Sequence, residues 1–336
     1  MAGQLHHYLP QCFLKGFCND EGLIWRFDRI SGKLAPLSPK VAGAENNLYT
    51  LSRNGTISQE VENSLSGVDG PYKDIYSQLL AGIPLRHDQE FQFALFLTLL
   101  SLRSPERIRE QEMRNSQFTT VVGPGPFEPF SDRASGKSKG ARNEVFEFAT
   151  EFADPVHKDR ADAEERNMAI KILLSSAIHH AETLMGLHWR FLMASEERSF
   201  LVGDNPVAII PPANHDVHNS GVGLLTEGAS VFIPLSDRLC LEIVNSRGFS
   251  VDRVIAGASL VRNLNKCQLM TTERFLFGRS DVLLERITGS VEIGKLNSSI
   301  VVTRTANSTS DSNSALLHMF TRSKFPADFA LYFENR

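Results

Sequence analysis

The sequence lacks the cysteine spacing of a small metal or disulfide framework. Its four cysteines, Cys12, Cys18, Cys240 and Cys267, include no Cys-x-x-Cys pair. That excludes a zinc ribbon. So few thiols in 336 residues fit a reducing compartment, and a cytoplasmic protein is expected. No long apolar run is present. The longest, residues 91–102, contains Gln92, Thr98 and Ser101 and is too short to span a bilayer, so it reads as a buried helix and no membrane partner is expected. Residues 1–11 hold no apolar run and no cleavage-like site, so no signal peptide is expected. There is no basic excess either: 35 Lys and Arg stand against 39 Asp and Glu, a net charge of -4. Proteins that grip phosphate backbones usually carry a positive excess, so nucleic-acid contact here would have to rest on a local patch.

Several catalytic signatures are also missing. There is no Gly-x-Ser-x-Gly and no Gly-x-Gly-x-x-Gly. Ser135-Gly136-Lys137-Ser138 contains Gly-Lys-Ser but lacks the upstream glycine, preceding strand and following helix of a phosphate-binding loop. His179-His180-Ala181-Glu182 is not the His-Glu-x-x-His of a zinc peptidase. His180 shares a helical face with Leu173, Ala177 and Leu184, the place of a hydrogen-bonded core histidine. His215 and His218 fall in a Pro/Asn/Gly-rich loop and are expected to be solvated. No internal repeat or heptad is present.

What is there suits a sizeable core: 42% of residues are hydrophobic and 22% charged. Residues 4–50 read as short strands and turns, with a hairpin at 23–33 and a strand at 47–51. Thr56 and Gln59 have the spacing of a capping box, followed by Ile57, Val61, Leu65 and Val68 at helical intervals. A strongly apolar helix is expected from Asp88, with Ser104-Pro105 as a kink or a fresh helix start. Residues 117–142 read as a long Gly/Pro/Ser loop, residues 143–152 and 161–186 as helices. Short strands follow at 189–194, 199–202, 207–210, 230–233 and 239–244, then a helix over 254–275. The fold class is therefore α+β, with N-terminal strands and turns, a helical middle and C-terminal antiparallel strands. One domain over 1–295, a flexible Ser/Thr/Asn-rich segment at 296–315 and a docking segment at 316–336 are expected.

The most informative run is His6-His7-Tyr8-Leu9-Pro10-Gln11-Cys12-Phe13-Leu14-Lys15-Gly16-Phe17. Imidazole titrates near neutrality and binds metals, so His6 or His7 is a candidate ligand or general base. The plainer reading has one histidine capping a backbone group and the other solvated. This opening resembles that of the domain of unknown function 4238 family, found mainly in bacteria. Trp25-Arg26-Phe27-Asp28 resembles its early strand, and Pro39-Lys40 through Glu45 with Asn47-Leu48-Tyr49 its Pro-Lys…Glu-x-x-x-Tyr segment. Glu60 lies in its next helix and Arg103 ends its apolar helix. Gly203-Asp204-Asn205-Pro206 resembles its Ser-Asp-x-Pro motif, with Gly203 where Ser is common, and Pro234-Leu235-Ser236 its Pro-Leu-Ser turn. The similarity runs over about residues 4–277. It brings no established activity, but it implies that these polar positions form one site.

Residue chemistry leaves two readings open. In the first, His6, His7, Glu45, Glu60 and Asp204 converge, with His6, His7, Glu45 and Asp204 as the catalytic groups and a divalent metal ion as the candidate cofactor. Lys40, Arg103 and Asn205 would bind substrate, and hydrolysis of a phosphodiester is the most economical chemistry. A cation at the end of an apolar helix, as Arg103 is, needs a carboxylate or phosphate partner. Glu62 reads as a solvated face residue. In the second, the polar motifs are structural turns, since Asp204-Asn205-Pro206 and Pro234-Leu235-Ser236-Asp237 both carry turn chemistry. Function would then lie in a binding or effector surface.

Overall fold

A computed structural model describes residues 4–53, 56–122, 161–210, 212, 224–245 and 251–290. They fall into two compact units, one made of Met1–Ile24 and Pro36–Gly186 and the other of Trp25–Ala35 and Leu187–Arg336. The architecture is α+β. The expectations for residues 123–142, 143–152 and 291–336 and for His215 and His218 lie outside the described residues.

Unit 1 opens with β1 (Leu5–His7), the short helix α1 (Gln11–Leu14), and β4 (Ala44–Asn46), which pairs antiparallel with β1. Residues 47–49 are a turn rather than a strand, and only Leu51 of the expected strand is in one. Asn47 adopts φ 57°, and the Thr50 N–H closes on its carbonyl. Residues 56–58 also differ from expectation. They form β6 (Thr56–Ser58), which pairs with β5 (Leu51–Arg53), because β-branched Thr56 and Ile57 suit a ladder better than a first helical turn. Helix α2 (Glu60–Asp69) starts after Gln59, which leaves the Gln59 side chain available for other work.

Then come α3 (Tyr72–Ala81), α4 (His87–Leu102) and α5 (Pro105–Val122). Helix α4 is buried on all sides, so it is the central helix of the unit. Its start is fixed by Gln89 Oε1 accepting the Arg86 N–H at 3.0 Å. Phe96 stacks on Tyr72 with ring centres 4.1 Å apart, and Phe13 and Phe93 complete that aromatic cluster. Ser104 Oγ accepts the Arg107 N–H at 3.3 Å, so Ser104-Pro105 is a fresh helix start. The helix then continues through residue 122, past the expected beginning of the long loop. The expected helix over 161–186 is two helices, α6 (Ala161–Ser175) and α7 (Ala177–Met185), separated at Ser176.

Unit 2 holds β2 (Ile24–Asp28, from Trp25), β3 (Leu34–Leu37, to Ala35), β7 (His188–Ala194), β8 (Val202–Gly203), β9 (Ala208–Ile210), β10 (Ser230–Pro234), β11 (Leu239–Val244), β12 (Val251–Ala256) and β13 (Phe275–Gly278). One sheet runs β12-β7-β11-β10-β9 and the other β3-β2-β13-β8. The expected helix over 254–275 is shorter. Val254 and Ile255 belong to β12, parallel to β7, and helix α8 (Ala258–Thr271) begins after Gly257. Helix α8 feeds both hydrophobic cores of the unit: Val261, Leu264, Cys267 and Met270 enter one, and Leu269 joins Phe27, Leu201 and Leu276 in the other. Helix α9 (Asp281–Thr288) adds Leu284 and Ile287 to the second.

Because β2 pairs with β13, residues 25–28 find their hydrogen-bond partners at 275–278. A fragment of residues 1–155 loses that partner strand. It should show no cooperative urea transition and poor amide dispersion by NMR. A well-dispersed, cooperatively folding fragment would show that the N-terminal half is self-sufficient.

Candidate functional site

The two N-terminal histidines diverge. His6 is fully buried; its Nδ1 accepts the Tyr49 N–H at 2.9 Å, and its Nε2 lies 2.6 Å from Gln59 Oε1. Since an N–H already points at Nδ1, the ring proton sits on Nε2 and is donated to Gln59. The imidazole stacks on the Tyr49 ring with an interplanar angle of 7°. Burial lowers its pKa, the Gln59 bond only partly opposing this, which favours the neutral ring. His7 is half-buried. Its Nε2 lies 3.1 Å from the Lys40 carbonyl and 3.4 Å from Gln11 Nε2.

Behind them lies a buried ion pair. Arg103 forks onto both oxygens of Asp69 at 3.0 Å, its side chain only 1% exposed. The Tyr49 hydroxyl donates to the Arg103 carbonyl at 2.6 Å, tying the end of α4 to the segment that holds His6. The carboxylate expected for Arg103 is thus Asp69, the last residue of α2. The Cys12 thiol donates to the Asp69 carbonyl, and burial, then the Asp69 charge, push that thiol up to about 11. It is therefore no nucleophile near neutral pH.

Glu62, expected on a solvated face, is half-buried. Its Oε1 lies 3.5 Å from the His7 N–H, and its buried Oε2 has no hydrogen-bond partner among the described residues. Burial raises its carboxyl above the ordinary range, against the pull of His7 and Arg103. The backbone register sets Glu45 opposite His6 across β1 and β4, yet the Glu45 side chain is exposed, as are those of Lys40 and Glu60. The strand pairing thus brings the histidine pair and Glu45 together along the backbone without a direct side-chain bond between His6 and Glu45.

Asp204 belongs to unit 2. It is buried, and its two oxygens accept the N–H groups of Glu273, Arg274 and Phe275 at 2.7–2.8 Å. This carboxylate holds the corner where α8 gives way to β13. Asn205 beside it is buried too. Gln268 clamps the same turn: its Oε1 accepts the Gly203 N–H and its Nε2 donates to the Pro206 carbonyl. A Cβ at Gly203 would lie 2.4 Å from Thr272 Oγ1, so the turn takes glycine there as it stands. Ser236 Oγ likewise accepts the N–H groups of Arg238 and Leu239, closing the Pro234-Leu235-Ser236 turn. The sequence pointed to Gln59 only as a cap and to Tyr49 only as part of a motif, and not at all to Asp69 and Gln268, which look like helix-surface residues until their partners are known.

Among the described residues no three His, Cys, Asp or Glu side chains gather to hold a metal ion, and no helix is long and apolar enough to cross a membrane. The chemistry on view is that of a buried carboxylate and an imidazole accepting backbone N–H groups and of a guanidinium paired with a second carboxylate, a pattern of polar scaffolding. The family model described as "Protein of unknown function (DUF4238)" matches residues 5–282, and the chain belongs to that family. No curated protein and no solved structure matches the chain.

The Asp204 carboxyl carries a pH signature. Burial pushes it up to about 6, against the pull of the three amides, from an ordinary value of 3.8. The unfolded chain therefore ionises first, and the stabilising contribution, complete below pH 3.8, is lost as pH rises through about 6. His6 acts in the opposite sense, losing stability as pH falls below 6.5. The difference between wild type and Asp204→Asn isolates Asp204. The fall in urea midpoint between pH 4 and pH 7 should be smaller in the variant; equal falls would place the titration elsewhere.

Proposed function

We propose that this protein is a non-enzymatic binding or effector module, in which the polar motif residues build the surface and perform no chemistry. One observation supports this above all: both ring nitrogens of His6 and both oxygens of Asp204 are already spent on the chain's own groups. A general base or metal ligand needs a lone pair free for the proton or ion; the acceptor nitrogen of His6 has none left, and three of the roughly four acceptor positions of Asp204 are taken. Arg103, committed to Asp69, is likewise poorly placed to grip a substrate anion. The thiols Cys12, Cys18, Cys240 and Cys267 are unbridged, which suits work in a reducing compartment such as the cytoplasm.

The second reading is metal-dependent hydrolysis of a phosphodiester by His7 and Glu45, with Lys40 on the substrate. One feature favours it, the unpartnered Glu62 oxygen next to the backbone of His7. A raised carboxyl at a half-buried position is a frequent mark of acid–base chemistry.

Purified protein assayed with bis(p-nitrophenyl) phosphate and manganese separates the two. The expected outcome is no turnover above the blank and no stoichiometric metal in the isolated protein. His6→Ala should cost about 1–3 kcal/mol, the usual effect of stranding a buried donor, and Asp204→Ala more, since it strands three. Turnover that disappears in His7→Ala or Glu62→Gln at unchanged melting temperature would establish the hydrolase instead.

A further inference from the structure

Unit 2 carries a cluster of cations around one aromatic ring. Arg26 on β2 and Arg274, just before β13, both lie against the ring of Phe275. Their guanidinium carbons are 4.4 and 4.6 Å from its centre. The β2–β13 register produces this: Phe275 stands opposite Asp28 and Phe277 opposite Arg26, so Arg26 is the diagonal neighbour of Phe275. Arg274 also reaches Asp28 at 3.3 Å. The other oxygen of Asp28 accepts the N–H groups of Ile30 and Ser31, so this carboxylate is largely committed to its own turn.

Arg26 has no carboxylate within ion-pair distance among the described residues, and the ring is the contact that positions it. Arg29 brings a third guanidinium to the same corner. Its Nη1 donates to the Thr272 carbonyl, and its backbone N–H to the Arg274 carbonyl at 2.8 Å. Across residues 26–33 and 272–275, four cations (Arg26, Arg29, Lys33 and Arg274) stand against two carboxylates, Asp28 and Glu273. A guanidinium laid on a ring is held in orientation while its in-plane N–H edge stays available, the geometry that suits an oxyanion.

We propose that Arg26 and Arg274, arrayed on Phe275, form a subsite for the phosphate group of a small phosphorylated ligand. The proposal rests on the binding-module reading and names its ligand class. A phosphate fits better than a carboxylate because it offers a second charge and more acceptor oxygens to several guanidiniums at once. A polymer of phosphates is disfavoured because the basic patch is short, with two carboxylates lying among its four cations.

The test is calorimetric titration of the full chain with inorganic pyrophosphate at low ionic strength, with released phosphate measured in the same samples. Saturable binding is expected, weakened at least about tenfold in Arg26→Gln, as loss of one charge-assisted bidentate contact implies. Arg26→Lys, which keeps the charge and the ring contact, should fall between the two and serves if the glutamine variant does not fold. Absence of binding by the wild type, or binding by Arg26→Gln and Arg274→Gln equal to that of the wild type, would overturn the subsite. Tighter binding of a single-stranded oligonucleotide than of pyrophosphate would overturn the ligand class. Release of phosphate is the separate sign that the non-enzymatic reading has failed, whatever happens to the affinity.

Discussion

A guanidinium cannot be taken out of water alone, and the buried Arg103 sets the terms for the whole of unit 1. Desolvation works against its charge, and the Asp69 carboxylate restores it through two parallel bonds at 3.0 Å. That pair joins the last residue of α2 to the residue that ends α4. The Tyr49 hydroxyl then closes on the carbonyl of the same arginine, and the Tyr49 N–H fixes the His6 ring. Four chain segments far apart in sequence thus meet in one hydrogen-bonded path. Removing Arg103, Tyr49 or His6, which are buried, strands the groups they satisfy, so the penalty exceeds the worth of any single bond.

Unit 2 solves a similar problem with a carboxylate. The last residues of α8 and the first of β13 turn too sharply for a ladder, and three consecutive amides would be orphaned at that corner. Asp204 accepts all three, while Asn265 and Gln268 on α8 take the N–H groups of Leu201 and Gly203. The short strand β8 is therefore held by side chains of a helix as much as by its neighbour β13. This explains how a two-residue strand can be well formed.

Much of this was legible beforehand where one physical signal was enough. Alternation and turn residues located β2, β10 and β11, and the apolar run located α4 to within a residue of its start. The need of Arg103 for a counter-charge was also readable, although nothing in the sequence singled out Asp69 over other acids. What failed were segments where two signals compete. Thr56 and Gln59 have capping-box spacing, but strand pairing with Leu51–Arg53 claims Thr56 and tertiary contact with His6 claims Gln59. Val254 and Ile255 continue a helical pattern that a parallel partner strand overrides. His6 and His7 are adjacent and chemically identical in sequence. Only the alternation of a strand that is buried on one side separates a locked imidazole from a half-exposed one.

The close approach of Gly203 to Thr272 ties two positions 69 residues apart into a single choice. Thr272 Oγ1 donates to the Gln268 carbonyl at 2.6 Å, and a Cβ placed on residue 203 would lie 2.4 Å from that hydroxyl and 3.2 Å from that same carbonyl. The Thr271 hydroxyl and the Thr272 N–H close on the same carbonyl, so it keeps partners without Thr272 Oγ1, but there is no volume for that hydroxyl and a Cβ at 203 together. Any side chain at 203 thus demands a smaller residue at 272 and a small shift of the Gln268 carbonyl, so the two positions are coupled through volume and a change at one is felt at the other.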